Sequence, residues 1–494
     1  MKLKNLVIKS GIILGVVFAS GCKDYLNVNK DPNNILDAPI EQLLTTATTS
    51  VGFTGGSDLH RYSSLLAQQF SGQGTGATTQ NQEYERYNIT GSDVNNLWAN
   101  LYATTLSDLE LVINKAKESN SPHYGGIAKI MKAYTYSIIV DTWGSAPYSE
   151  AAKFTDNLKP KFDAGADIYN SLFTLLDEGI ADIKAATSVK SPGVNSTIYT
   201  NGDFVAQSRP KWEKLANTIK LRMLLHYSKI DKPGMVTKMN ALITSGTFMA
   251  ANADNFEMNF FNSPRNQNPI HQFEIDRVNQ FFPNATLVDM MNTKSDPRRA
   301  TYFTFNGATT TYKGAKGGDA PSLAYSRIFT FLRGDTLTAG GATGSGYTYT
   351  GAAPIRLLTF AEYNFIRAEA AVLGATGNAE TFFQAGITAS MQAAKVPAAA
   401  IAAYIAANGT LTGTDAQKIK QIIEEKFVAN YGVVSEPWTD WRRTGFPTLA
   451  VQVPNPIVPA IARSLFYPQS EIDLNPNAPK QKTNVLERVF WDAQ

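Results

Sequence analysis

Cysteine is almost missing from this chain. Among 494 residues there is one, Cys22, so no internal disulfide can form, and thiol catalysis and cysteine-based zinc sites are excluded. Histidine is scarce too. His60, His123, His226 and His271 stand far apart, and no HExxH pair marks a helix-borne zinc site. There is no GxSxG elbow and no GxxxxGK[ST] phosphate loop. The adjacent acids Glu424 and Glu425 point roughly 100° apart on a helix, as residues of a solvated face do. The expectation is therefore a protein that is not an enzyme and carries neither cofactor nor metal. A glycoside hydrolase survives only because any two carboxylates can meet in space.

Charge of one sign is also lacking. The formal net charge is +3, and the N-terminal lysines Lys2, Lys4 and Lys9 account for that excess. The rest of the chain is balanced, which argues against a nucleic-acid surface. Beyond the first 21 residues no run of 18 apolar residues occurs, so no later segment is expected to span a bilayer.

The N-terminus reads as a secretory signal peptide over 1–21, with the three lysines ahead of a short apolar stretch, Gly11 to Ala19. Ala19, Ser20 and Gly21 are small and lead straight into Cys22. This run resembles a bacterial lipobox, with Ala19 where that pattern prefers Leu, and its cysteine is the acylated first residue of the mature chain. Cys22 is thus the lipidation candidate, and two or more acyl chains make a stable anchor. Residues 22–39, polar and holding Pro32 and Pro39, read as a tether.

Apolar residues at helical spacing predict helices over 40–51, 57–70, 92–118, 125–141, 163–187, 210–230, 233–245, 358–374, 378–395 and 415–431. Ala361, Ala368 and Ala371 would let a neighbouring helix approach closely. Paired helices of this length resemble tetratricopeptide-type repeats, without a clean 34-residue period. Residues 247–355 and 436–482 break the pattern, the first with Pro, Gly, Thr and Tyr, the second with eight prolines from Pro437 to Pro479. Long irregular stretches inside a helical fold are usually functional loops.

Six phrases then line up in order. They are Cys22 followed by DYLNVNKDPN, DTWGSAPYSEA at 141–151, RPKWEKLANTIKLRMLL at 209–225, IRLLTFAEYNFIRAEA at 355–370, EPWTDWRRTGFP at 436–447 and FYPQSEIDLNPN at 466–477. In these the chain resembles the SusD/RagB family of outer-membrane nutrient-binding lipoproteins of Bacteroidetes. The resemblance implies a mainly α fold, a right-handed helical-repeat scaffold of four degenerate tetratricopeptide-type helix pairs with long loops and minor β structure. It implies one SusD-like domain over 40–494, with repeats at about 40–246 and 356–435. It also implies an outer-membrane location facing the exterior. The implied partner is a SusC-type TonB-dependent barrel transporter, to which oligosaccharides or, in some members, peptides are delivered. A scaffolding lipoprotein is the reading from a different class.

The distinctive phrases read as structural. Trp438 and Trp441 are expected to pack between the last repeat and the C-terminal loops, with Arg442 and Arg443 pairing acids or carbonyls. Trp143 and Trp212 are expected in the core. Ligand contact needs exposed rings to cover the C–H face of a sugar and polar arms for its hydroxyls. The segment 68–98 offers Tyr84, Tyr87, Trp98, Gln73 and Arg86, with Trp98 also fitting a helix core. The loops of 301–355 add Tyr312, Tyr325, Tyr347 and Tyr349.

Overall fold

The computed structural model describes residues 38–73, 79–200, 202–305, 309–320, 324–338 and 346–493. Cys22 and the segment read as a signal peptide lie outside the described residues, as does the segment read as a tether up to residue 37.

Helices dominate, and they pack in antiparallel neighbours. α1 (Ile40–Thr54) starts after Pro39 and buries Leu43, Leu44, Ala47 and Val51 along one stripe. α2 (Asp58–Leu66) follows, then β1 (Phe70–Gly72) and α3 (Gln80–Glu85) with a Thr79–Gln82 capping box. The helix expected over 92–118 is interrupted. α4 (Asn95–Ala99) and α5 (Ser107–Glu118) flank a π-helical turn at Asn100–Leu106. There Thr105 and Ser107 turn their hydroxyls back onto the carbonyls of Asn100 and Tyr102, five residues earlier.

α6 (Pro122–Trp143) has Pro122 in its first turn and is buried on nearly every side, the mark of a central helix. It ends at Gly144, whose φ of +88° suits glycine. After the short pair β2 (Ala146–Pro147) and β3 (Phe162–Asp163), α7 (Gly165–Ile183) lies against α6. The two backbones approach where Gly126 faces Gly179; a Cβ on Gly126 would sit 2.6 Å from the Gly179 carbonyl. α8 (Arg209–Leu225) and α9 (Lys232–Ser245) continue the stack.

The loop-rich stretch 247–355 is not wholly irregular. It holds β4 (Phe256–Met258), α10 (Pro269–Asp276), β5 (Phe281–Pro283), α11 (Ala285–Thr293), α12 (Arg299–Tyr302), α13 (Thr330–Arg333), β6 (Thr336–Thr338), β7 (Thr348–Tyr349) and the start of β8 (Ile355–Leu358). β1 pairs with β5 and β4 with β8, both antiparallel, and these long-range pairings tie the stretch to the repeats. The 57–70 helix therefore ends at Leu66, because Phe70 to Gly72 is taken by β5.

α14 (Phe360–Val372), α15 (Ala379–Ala393), α16 (Ala398–Asn408) and α17 (Asp415–Ala429) form a second cluster. Ala361 and Ala368 pack there with Phe383, Ile387 and Ile422, the close approach their size allows. α16 was not expected from periodicity: an alanine-rich helix starting after Pro397 shows little apolar contrast. α18 (Glu436–Thr444) and α19 (Gln469–Leu474) lie within the segment read as loop.

The distinctive sequence phrases meet in the interior. Arg443 grips Glu369 with both terminal nitrogens, one at 2.7 Å, and also bonds Asp440 at 2.9 Å. Lys426 bridges Glu436 and Asp440, each at 2.8 Å, and Arg222 binds Glu362 bidentately. Arg442 lies over the Trp438 ring at 3.7 Å and donates to the Asp141 and Arg463 carbonyls. Trp143 and Trp438 are buried and their indole N–H groups donate to the carbonyls of Phe466 and Ala462. Trp212 is buried and Trp441 half-buried. One reading needs correction: Glu425 is not on a solvated face. It is fully buried, held by Arg298, Lys294 and the Tyr404 hydroxyl, each at 2.7 Å, and these cations hold its carboxyl down at about 2 against the cost of burial.

Candidate functional site

The segment 68–98 and the loops of 301–355 do come together, but with opposite roles. Gln73 is fully buried and its amide donates to Ser71 Oγ and to the Lys316 carbonyl, both at 3.2 Å. Tyr84 is 1% exposed, edge-on to Tyr62 at 4.8 Å, with its hydroxyl on Asp93 Oδ1. Tyr87 is buried at a φ of +64° just past α3. Trp98 sits in a four-ring cluster: Tyr102 stacks at 4.5 Å, Phe162 lies nearly parallel at 6.1 Å, and Trp143 meets it edge-on at 5.2 Å. Its indole N–H donates to Glu471 at 3.2 Å. None of these three rings offers a face to solvent, because each belongs to the hydrophobic core. Arg86 is half-exposed and committed to Glu83 at 3.0 Å and to the Asn455 carbonyl at 3.1 Å.

This segment is a foundation on which the later loops rest. Asn284, just after β5, donates its N–H to the Gln69 carbonyl, and Ala285 donates its N–H to the Ala315 carbonyl. Gln68, Thr286, Asn284 and Gln452 form one side-chain network. Glu85 is buried beneath Gly317; burial pushes its carboxyl up to about 8, so it is protonated at neutral pH.

The loops above present the rings. Phe305 is 44% exposed and lies 5.0 Å from half-buried Tyr312, whose ring also carries the Arg299 guanidinium at 5.2 Å. Tyr325 is half-buried, edge-on to Phe282 at 6.2 Å, with Lys313 over its ring at 5.1 Å and its hydroxyl on Asp319 at 2.8 Å. Burial and Asp319 together raise that phenol to about 12, so it stays a neutral donor. Tyr347 is half-buried and leans on Phe329 at 5.3 Å. Tyr349 is buried beneath Arg333. The rings thus sit beside cations, a carboxylate and exposed Lys316, which is the mixture a sugar's C–H face and hydroxyl rim require.

Phe305 and Lys313 escaped the sequence reading. The alternation in YFTFN was the available signal: period two turns Phe303 inward and Phe305 outward. Among the described residues no group of three or more His, Asp or Glu could hold a metal ion, and no helix is long and apolar enough to cross a membrane.

A family model described as "Starch-binding associating with outer membrane" matches residues 32–468. The chain belongs to the SusD-like family. The SusD-like fold is found again in solved structures. A chitin-binding protein has 24% identity and a TM-score of 0.76, with 92% of this chain and 100% of that one covered. A chitin-binding SusD homolog from Flavobacterium johnsoniae has 21% identity and a TM-score of 0.73, covering 92% and 98%. A SusD-like protein from Bacteroides thetaiotaomicron has 22% identity and a TM-score of 0.73, with the same coverage. No curated protein matches. The mainly helical SusD-like architecture, with paired helices and little strand, is what the helical-repeat expectation described.

Proposed function

We propose that this SusD-like chain is a surface lipoprotein that binds oligosaccharides on the loop face of Phe305, Tyr312, Tyr325 and Tyr347 and delivers them to a TonB-dependent outer-membrane transporter. The observation that carries the reading is the contrast in exposure: Phe305 is exposed and Tyr312, Tyr325 and Tyr347 are half-open, with Lys313 and Asp319 beside Tyr325, whereas the rings of Tyr84, Tyr87 and Trp98 are sealed in the core. The description of the matching family and the chitin-binding neighbours support a glycan as the ligand. Stacking of a sugar's C–H face on an aromatic ring needs no catalytic group, and the role proposed is capture without chemistry.

The anchor belongs to the same proposal: Cys22 acylation would hold the fold at the outer-membrane surface, facing the exterior. The test is calorimetric titration of a soluble Cys22→Ser chain against malto-, chito- and xylo-oligosaccharides. Binding of at least one series supports the reading, and heat-silent titrations throughout overturn it. Incorporation of labelled palmitate into the wild-type chain, absent from Cys22→Ser, tests the anchor.

A further inference from the structure

A cavity of about 120 Å³ opens between α2, α10 and β5, on the Phe281 side of that strand rather than the Phe282 side that supports Tyr325. Its apolar walls include Pro269, Ile270, Phe273 and Phe281, and its polar groups include His60 and Arg61. Both polar side chains carry an unanswered atom. The Nε2 of His60 and the Nε–H of Arg61 are buried and have no hydrogen-bond partner. Arg61 cannot swing to find one. Its Nη2 is held by Asp58 Oδ1 at 2.8 Å, and its guanidinium is wedged among the rings of Tyr62, Tyr84 and Phe273 at 5.4–5.7 Å. Buried polar atoms without partners are rare because they lose water and gain nothing. Two in the lining of one small cavity call for an occupant with an acceptor for Arg61 and a polar partner for His60.

We propose that this cavity holds the acetamido group of an N-acetylated sugar. His60 is buried and neutral, its pKa lowered to about 4 by burial alone, so its ring offers one N–H and one lone pair. An amide supplies the complement of the pair: its carbonyl accepts from Arg61 Nε–H, and its N–H donates to the imidazole lone pair. Its methyl group lies against the Ile270 and Phe273 walls. A water takes about 30 Å³, so the cavity has room for the four heavy atoms of the group. A free amine in that place would be an ammonium beside a fixed guanidinium, and a hydroxyl would leave the apolar walls unfilled. The inference rests on the glycan-binding reading and names a substrate class within it.

The test compares three tetrasaccharides, N-acetylglucosamine, glucosamine and glucose β-1,4-linked, on the Cys22→Ser chain by calorimetry. The N-acetylated tetramer is expected to bind at least about tenfold tighter than the other two. Ser57→Leu then places an isobutyl group at the cavity rim. Ser57 precedes α2 without making a side-chain capping bond, and its hydroxyl gives up only a long bond to the Thr54 carbonyl at 3.3 Å, so the thermal midpoint should fall slightly while the N-acetyl preference vanishes. Equal affinity for all three tetramers, or a preference unmoved by Ser57→Leu, overturns the pocket and leaves the loop-face reading standing. Failure of all three, with malto- and xylo-oligosaccharides also silent, overturns both.

Discussion

Two regions of this molecule are built from the same residue types and do opposite work. In the interior, Arg222, Glu362, Glu369, Lys426, Glu436, Asp440, Arg442 and Arg443 are buried and answered by one another or by carbonyls, around Trp438. On the loop face, Lys313, Asp319, Tyr325, Phe305 and Tyr312 are open or half-open. The interior set locks α6, α8, α14, α17 and α18 to one another, while the loop set rests on that frame and is left free. Distinctive charge and tryptophan patterns therefore mark what holds the fold, and the face proposed for recognition is built of plainer residues on irregular chain.

The largest way to break this contrast is to unpair an interior charge. Arg443→Met strands Glu369 in a buried setting while Asp440 keeps Lys426, and should cost about 3–5 kcal/mol of stability in urea unfolding. Tyr325→Ala, by the same measurement, should cost only about 1 kcal/mol, for a half-buried ring with one hydroxyl bond to Asp319. Trp98→Ala sits on the same side of the divide as Arg443. It empties a four-ring cluster and should cost about 3–5 kcal/mol, with glycan affinity at 25 °C retained by the folded fraction. An affinity loss without a stability loss in Trp98→Ala would move the binding face back to 68–98.

Glu85 sharpens the comparison at the seam between the regions. Its folded pKa is raised to about 8 above an ordinary carboxylate value, so the native state holds its proton more tightly than the unfolded state does. The stability this gives is full below the unfolded pKa and is lost as pH rises through 8. Glu85→Gln should therefore gain on wild type between pH 5 and pH 9, read as a rising difference in urea midpoint. The smallest effect expected is for Arg86→Ala. Its partly exposed bridge to Glu83 is worth under about 1 kcal/mol, and the thermal midpoint should barely shift.

Much of the fold was legible because helices with one apolar stripe announce themselves, as α7 does with Ile168, Leu172 and Leu176. α16 was missed for want of contrast, and α18 because its apolar face is two tryptophans amid charges. The roles of Arg442 and Arg443 could be read from their phrase, since a guanidinium beside tryptophan in a helical fold needs acids or carbonyls. The site was harder. Tyr84 lies in the polar helix α3 and Tyr87 just past it, a segment that looks exposed, yet both rings are buried and Tyr84 packs edge-on to Tyr62 of α2. That packing comes from outside the helix, and no pattern within α3 reports it. The buried Glu425 misled for the same reason: its partner Arg298 lies on a distant segment.

The most direct test of the whole account is a titration of the Phe305→Ala/Tyr325→Ala double variant with the tightest-binding oligosaccharide of the panel. The account predicts loss of at least about tenfold in affinity with the unfolding midpoint lowered only slightly. Wild-type affinity in that variant would contradict it.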